Sequence, residues 1–173
     1  MANTTGKKIK DAAIIGGCAS LIYLTIGDIS YRLSLSRGGL NSKLITDMVA
    51  KSAAKKPKDE YKEKLDSMID DGADWFMHQD TEKIIIEKKH RLSLYADLIR
   101  PDKPSNVYII CIHGYTSSPA NMGIYAKKYH ELGYNVLLPS LRGHGDSEQD
   151  FITMGWNDRL DVIELINYIA ERH

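Results

Sequence analysis

The central stretch of this chain reads Val107-Tyr108-Ile109-Ile110-Cys111-Ile112-His113-Gly114-Tyr115-Thr116-Ser117-Ser118-Pro119. Its first six residues are almost all apolar, which predicts a central strand of a parallel sheet that is covered on both faces. The polar residues that follow predict a loop. Ser118 and Pro119 suit the N-cap and the first position of a helix. This stretch therefore predicts a strand, a loop and the start of a helix.

The neighbouring residues extend this pattern in both directions. Residues 122 to 132 carry apolar side chains at helical spacing, Gly133 suits a left-handed helix end, and residues 134 to 138 predict the next strand. A strand, a helix and a strand within about 32 residues form a βαβ unit. Upstream, Lys83 to Glu87 and Leu92 to Ile99 predict a hairpin of two strands. The fold class expected from these elements is α/β.

A final helix is predicted from Trp156 to His173, because apolar residues recur there on one face. Two earlier groups of apolar residues, between positions 30 and 79, also have helical spacing and predict a helical preface. The first group is Leu44, Ile45, Met48 and Val49, and the second is Tyr61, Leu65, Met68 and Ile69.

The composition argues against two classes of protein. Lys and Arg together number 23, and Asp and Glu together number 23, so the net charge is zero and we expect no nucleic-acid partner. Cys18 and Cys111 are the two cysteines of the chain, too few for a disulfide framework or a cysteine zinc site. We therefore expect neither a metal nor a cofactor.

The N-terminus has the pattern of a signal anchor. Lys7, Lys8 and Lys10 precede an uncharged run from Ala12 to Gly27, which Asp28 ends. The basic flank predicts a cytoplasmic N-terminus, with the remainder of the protein outside the cell membrane. No small-x-small cleavage signal follows the run, which favours a retained anchor over a secreted protein.

Two other interpretations of this run stay open. Its sixteen residues rise about 24 Å as a helix, short of a hydrocarbon core of about 30 Å, so flanking residues must help it to span. A buried hydrophobic helix is the first alternative. Lipidation is the second, because Ile15-Gly16-Gly17-Cys18 weakly matches a lipobox.

Three motifs carry a specific resemblance. They are His113-Gly114-Tyr115-Thr116-Ser117-Ser118, Leu141-Arg142-Gly143-His144-Gly145-Asp146-Ser147-Glu148 and Met154-Gly155-Trp156-Asn157-Asp158-Arg159. In this order, separated by a helix and a strand, they resemble the bacterial α/β-hydrolase superfamily of serine esterases, lipases and peptidases. The resemblance spans about residue 72 to the C-terminus.

The resemblance implies a fold and a domain organisation. We expect a partial α/β-hydrolase fold over residues 80–173, with an N-terminal hairpin, parallel βαβ strands and helices on both faces. A signal anchor over residues 1–29 and a helical preface over residues 30–79 would precede it. Arg142 would lie in a structural turn near the site. Related sequences usually have an acidic residue where Ser140 stands, so we expect Arg142 to lack its buried salt bridge.

By resemblance, the loop after the buried strand is an oxyanion loop. The backbone N–H of Tyr115 matches a donor to the substrate oxyanion, and such a donor lowers the barrier of acyl transfer by about 3 kcal/mol. Gly114 would let the backbone turn closely beneath the substrate. His113 would brace the loop and would not be the triad base, because the triad histidine follows the nucleophile in this fold.

The nucleophile itself is not found. The fold places its serine in G-x-S-x-G, and this pattern occurs nowhere in the 173 residues. Gly145-Asp146-Ser147 superficially resembles the nucleophile block of another hydrolase class, but it lies in the turn already explained. We therefore expect an N-terminal fragment of a serine hydrolase, acting on a small carboxylic ester or peptide by resemblance, and inactive alone without its catalytic triad.

Two alternatives to this function remain. Truncation would expose the apolar strand from Val107 to Ile112 as an unpaired edge. The chain could then be a non-catalytic, membrane-anchored interaction module that binds a partner strand at this edge. A separate C-terminal half carrying the serine could also complement it.

Overall fold

The structure is a computed structural model that describes residues 2–36, 47, 51–52, 59–88, 92–147 and 149–172. Its helices are α1 (Ala2–Leu35), α2 (Glu60–Met77), a short 3-10 helix (Pro119–Met122), α3 (Gly123–Glu131) and α4 (Asp158–Arg172). Its strands are β1 (Glu82–Lys88), β2 (Leu92–Ile99), β3 (Tyr108–Ile110) and β4 (Asn135–Ser140). The preface helix predicted around Leu44 and Val49 lies outside the described residues.

The four strands form one mixed sheet in the order β1-β2-β4-β3. β1 pairs antiparallel with β2, and β2 pairs antiparallel with β4, with Leu98 opposite Leu137. β3 and β4 run parallel, with Ile109 opposite Val136, and the 3-10 helix and α3 connect them. The predicted α/β fold, with its hairpin and its βαβ unit, is confirmed.

The prediction that the strand after residue 107 is central was wrong for the described sheet. β3 lies at one end of the strand order, and β4 is the strand with neighbours on both sides. All six residues of β4 are buried, whereas the three of β3 are half-buried. An apolar run predicts that both faces of a strand are covered, but it does not count the neighbouring strands.

Helices cover both faces of the sheet. Because side chains alternate along a strand, Val136 and Leu138 point to one face and Leu137 to the other. The first face forms a core with Phe76 of α2 and Ala126 of α3, joined by Ile99 at the end of β2 and Cys111 after β3. The second face packs with Leu165 of α4 and with Ile84, Ala96 and Leu98.

Two glycines let α2 and α3 touch backbone to backbone. A Cβ atom added at Gly72 would overlap with the backbone of Ile124, and one added at Gly123 would overlap with the backbone of Gly72. One turn after Gly72, Phe76 reaches the core. The end of α2 is therefore packed against the sheet layer through α3.

α1 differs from the other helices because its apolar side chains are exposed. Its segment from Ala13 to Leu35 has a mean hydropathy of 1.5 and is 0% buried. These 23 residues rise about 34 Å, so by length and composition the segment could cross a membrane or serve as a signal sequence. Near its end, Asp28 accepts a hydrogen bond from Arg32, with Oδ2 2.8 Å from Nε.

Candidate active site

The site is built where two parallel strands end. β3 and β4 point the same way, so the loops that follow them, residues 111–118 and 141–147, meet at one edge of the sheet. The amide of Cys111 extends the ladder by one bond to the Leu137 carbonyl, at 2.8 Å. Ligands of open α/β sheets bind outside this carboxyl edge. All three residues of the predicted oxyanion loop lie there.

His113 is held from both ring nitrogens. Its ring is 2% exposed, Nε2 accepts a hydrogen bond from the Leu141 amide at 3.1 Å, and Nδ1 donates to the Gly114 carbonyl at 2.9 Å. Accepting at Nε2 requires the neutral ring. Burial lowers the pKa of His113 below its ordinary 6.5, although the Gly114 carbonyl and Asp158 act in the opposite direction. His113 thus ties its own loop to the loop after β4.

His144 makes the reciprocal connection. Its Nε2 accepts from the Thr116 amide at 3.2 Å, and its Nδ1 donates to the Arg142 carbonyl at 2.9 Å. The rings of His113 and His144 meet edge to face, with centroids 4.8 Å apart. Each loop therefore supplies a histidine that binds an amide of the other loop.

By resemblance, His144 was expected in a structural turn, and its pairing with the other loop was not predicted. In both cross-loop bonds the histidine and the amide are 28 residues apart. The sequence held no local signal for this pairing, because it arises only when the parallel strands β3 and β4 bring the two loops side by side.

Tyr115 lies in the turn between these two anchoring points. Its residue is 42% exposed, and within the described part of the chain its backbone N–H has no acceptor. Thr116 next to it has a left-handed φ of 56°, and the Ser117 amide closes the turn onto the Gly114 carbonyl at 3.1 Å. The Tyr115 amide is thus a donor at the surface of a fixed turn.

Gly114 borders open space. No atom lies within 4 Å of a Cβ atom built at this position, and Gly114 does not have a left-handed φ. Neither packing nor backbone strain therefore demands a glycine. The space that a side chain would fill lies beside the Tyr115 amide.

Arg142 has a buried partner, contrary to the expectation from Ser140. Its guanidinium makes a bidentate ion pair with Asp161 of α4, through Nε to Oδ2 and through Nη2 to Oδ1 at 2.7 Å. The two side chains are 11% and 4% exposed. The expectation was wrong because it considered a partner on β4 and not one on the last helix.

The turn around Ser147 has a structural role. Ser147 is 1% exposed, and its hydroxyl donates to the Ser140 carbonyl at 2.5 Å. Gly145 has a φ of 51°, and a Cβ atom there would come within 2.9 Å of the Ser140 Oγ. A buried hydroxyl in such a turn is not placed to attack a substrate, which argues against the Gly145-Asp146-Ser147 alternative.

Asp158 fixes the third motif at the start of α4. Its Oδ2 accepts from the Thr153 hydroxyl at 2.9 Å and from the Gly155 amide at 2.7 Å. Its Oδ1 is buried and has no hydrogen-bond partner among the residues that the structure describes. In the same part of the chain, no group of three His, Cys, Asp or Glu side chains could hold a metal ion.

The end of α1 contacts the site loops, which the sequence did not predict. The Tyr115 hydroxyl donates to the Ser34 carbonyl, and the Ile152 amide donates to the Leu35 carbonyl at 2.7 Å. Ser36 forms an antiparallel bridge with Phe151, whose ring lies 5.4 Å from that of Tyr31. The helix therefore ends beside the predicted oxyanion loop.

Comparison with known proteins agrees with the α/β fold. Over part of its length, the chain has an α/β-hydrolase-like esterase fold. It is similar to an esterase of Pyrococcus furiosus, Pf2001, with a TM-score of 0.50 and 24% identity over 57% of this chain. It is also 34% identical over 58 residues to a thermostable monoacylglycerol lipase of Bacillus sp. (strain H-257), which covers 34% of this chain.

The match covers less than half of each of these proteins. It spans 38% of the esterase chain and 23% of the lipase. No protein-family model matches it.

Proposed function

We propose that this chain supplies the oxyanion loop of a membrane-anchored serine hydrolase. In this proposal the Tyr115 amide binds the negative charge that develops on the substrate carbonyl oxygen during acyl transfer. Gly114 leaves room for the substrate, and His113 braces the loop. The proposal concerns the activity of a complete enzyme to which these residues contribute.

The observation that carries the proposal is the state of the Tyr115 amide. It lies at the carboxyl edge of parallel strands, it is a donor without an acceptor among the described residues, and its turn is fixed on both sides by histidines. Catalysis gains most from a donor that needs no rearrangement when charge develops. The reciprocal bonds of His113 and His144 provide that rigidity.

The substrate class follows from the relatives and not from a pocket. One relative is an esterase and the other a monoacylglycerol lipase, so we propose a carboxylic ester as the substrate. A small peptide is the alternative, because peptidases share the same chemistry of acyl transfer.

The nucleophile must come from outside these residues. The 173 residues hold no G-x-S-x-G, so we propose that the chain alone does not turn over substrate and that the serine is supplied by further sequence or by a separate C-terminal partner. α1 would anchor the protein in the cell membrane, with the domain outside as the basic N-terminus predicts; a secreted form is the alternative.

A serine-directed fluorophosphonate probe tests the proposal. The full translated product of the gene is purified from its own host with any chain that accompanies it, then treated with the probe. We expect label on a serine outside residues 1–173 and none on the 173-residue chain expressed alone. Label on Ser147, or no label in any fraction that hydrolyses short acyl esters, would contradict the proposal.

The edge position of β3 supports a second candidate function. Within the described sheet, β3 pairs with β4 and has no strand on its other side. Val107 and Ile112, which flank it, are 46% and 43% exposed. Such an edge can accept a partner strand, so the chain could act as a non-catalytic, membrane-anchored interaction module.

Hydrogen exchange of the β3 amides separates the two candidates. In the hydrolase proposal, these amides become protected when the portion that carries the serine is present. A module would instead gain that protection from an unrelated partner, with no serine labelling in the complex.

A further inference from the structure

The junction between α1 and the site loops places the site relative to a membrane. Charged groups mark the end of the apolar run, because the Asp28 and Arg32 pair is about 60% exposed on the helix surface. From Gly27 to Leu35 the helix rises about 12 Å, whereas the headgroup layer on each side of a bilayer is about 5 to 8 Å thick. If α1 spans, Leu35 therefore lies at the membrane surface.

The site loops are bonded directly to this point. The Tyr115 hydroxyl binds the Ser34 carbonyl, and Ile152 binds Leu35. Trp156 is four residues beyond Ile152, so it lies within about 14 Å of that contact even if the chain is fully extended. The predicted oxyanion loop and the segment from 149 to 157 consequently lie close to the end of the helix.

The segment from 149 to 157 exposes large side chains that suit a membrane surface. Met154 is 64% exposed and Trp156 is 73% exposed. Arg159 lies over the Trp156 ring, 4.3 Å from its centroid. Tryptophan is enriched at membrane interfaces, and an arginine beside it can reach lipid phosphates while its stem covers apolar surface.

We propose that residues 149–157 contact the bilayer through Met154 and Trp156, so that the oxyanion loop opens onto the membrane surface. The occupant of this exposed patch is the lipid interface itself, because the patch continues directly from the proposed anchor. A substrate drawn from the bilayer would then meet the Tyr115 amide at the interface. The inference rests on the membrane anchor of the proposed function.

Quenching of tryptophan fluorescence by brominated lipid tests the contact. The chain contains two tryptophans, Trp75 and Trp156. Trp75 is the internal control: its ring is tilted against that of His130, with centroids 5.6 Å apart, and His130 bonds to the Arg100 carbonyl near the opposite edge of the sheet, where β4 begins. The full chain is reconstituted in phosphatidylcholine and phosphatidylglycerol vesicles, and flotation shows independently whether it is bound.

We expect brominated lipid to reduce the emission of Trp156 about twofold, more strongly with bromine near the headgroup than near the chain end. The variant Trp156→Phe should lose this quenching, and Trp75→Phe should retain it. Wild type and Trp156→Phe suffice for the comparison if Trp75→Phe does not fold. Chains that float without Trp156 quenching would overturn the inference and leave the anchor intact. Chains that do not float would overturn both.

Discussion

α1 and α2 both precede the sheet, yet they meet it in opposite ways. α2 is amphipathic and lies so close to α3 that Gly72 and Gly123 touch through their backbones. From Ala12 to Gly27 α1 is uncharged on all sides, and among its described residues it contacts the domain through Tyr31, Ser34 and Leu35 near its end. Apolar content alone therefore does not predict which helix is buried in the protein.

The difference has a simple physical origin. A helix buries one stripe when one face is apolar, whereas a helix that is apolar all round needs an apolar environment on every side. The described protein provides that environment for Phe76 of α2 but not for Leu21 or Leu24 of α1. A bilayer would provide an apolar environment for α1. Only the end of α1 would then contact the site loops.

The largest effect should come from breaking the ion pair that holds the loop after β4. Arg142→Met removes the guanidinium that pairs with the buried Asp161, which should cost about 3 to 5 kcal/mol of unfolding free energy. This pair holds the loop after β4 in place, and the end of α1 contacts the site loops. Urea unfolding measures the loss.

The matched control for this variant is Lys128→Met, which breaks an exposed pair with Glu131. It should cost no more than about 1 kcal/mol. Equal losses of unfolding free energy in the two variants would contradict the prediction that the buried Arg142 pair stabilises the fold more than an exposed pair does.

The next effect tests the close contact between α2 and α3. Gly72→Ala pushes a methyl group into the backbone of Ile124 and should cost about 1 to 3 kcal/mol, or more if the helices separate. Circular dichroism during urea unfolding measures it.

Gly17→Ala is the control from α1, where no atom lies within 4 Å of an added Cβ. It should stabilise the helix, by at most about 1 kcal/mol, since alanine is the better helix former. If both substitutions stabilised the protein, the contrast between the two helices would be incorrect.

A smaller effect depends on pH. The pKa of His113 is lower in the folded protein than its ordinary 6.5, chiefly because of burial, so below that pH the unfolded chain binds more protons. The stability that His113 contributes should therefore be present above about pH 6.5 and be lost as the pH falls through its folded pKa.

The measurement is the difference in unfolding free energy between wild type and His113→Asn at about pH 8 and about pH 5. The ring also faces His144, which lowers the pKa of His113, and Asp158, which raises it. We expect the advantage of wild type to shrink at the lower pH. An advantage that grows on acidification would contradict a neutral, buried His113.

The smallest effect concerns the contact between the end of α1 and the domain. Phe151→Leu removes the ring contact with Tyr31 and should cost about 0.5 to 1.5 kcal/mol in the attachment of the helix end. Exchange of the Ile152 amide, which binds the Leu35 carbonyl, reports this loss. The control Tyr125→Leu alters an exposed ring on α3 and should leave that amide unchanged.

The sequence predicted the helices and strands more successfully than the contacts between them. Periodicity indicated α3 and the hairpin, and Gly133 has the expected left-handed φ of 81°. The partner of Arg142 depends on a contact between distant segments, which local spacing does not encode. Gly72 gave one overlooked signal, because a glycine in a helix interior is costly unless another backbone must approach.

The candidate site was also predicted only in part, because local patterns were predicted and contacts between distant segments were not. Position after a buried strand led to His113, Gly114 and Tyr115, and the structure brings them to the carboxyl edge of the sheet. The role of His144 was missed because it requires the two loops to be side by side. The contact between Ser34 and Tyr115, 81 residues apart, had no local signal at all.

The most direct test of the oxyanion role deletes the Tyr115 N–H. In the complete enzyme, Tyr115→Pro deletes the donor, while Tyr115→Phe keeps it and loses the hydroxyl alone. We predict that Tyr115→Pro lowers kcat for a short acyl ester by about 100- to 1,000-fold relative to Tyr115→Phe, with both proteins folded. Equal kcat values in the two variants would contradict the account.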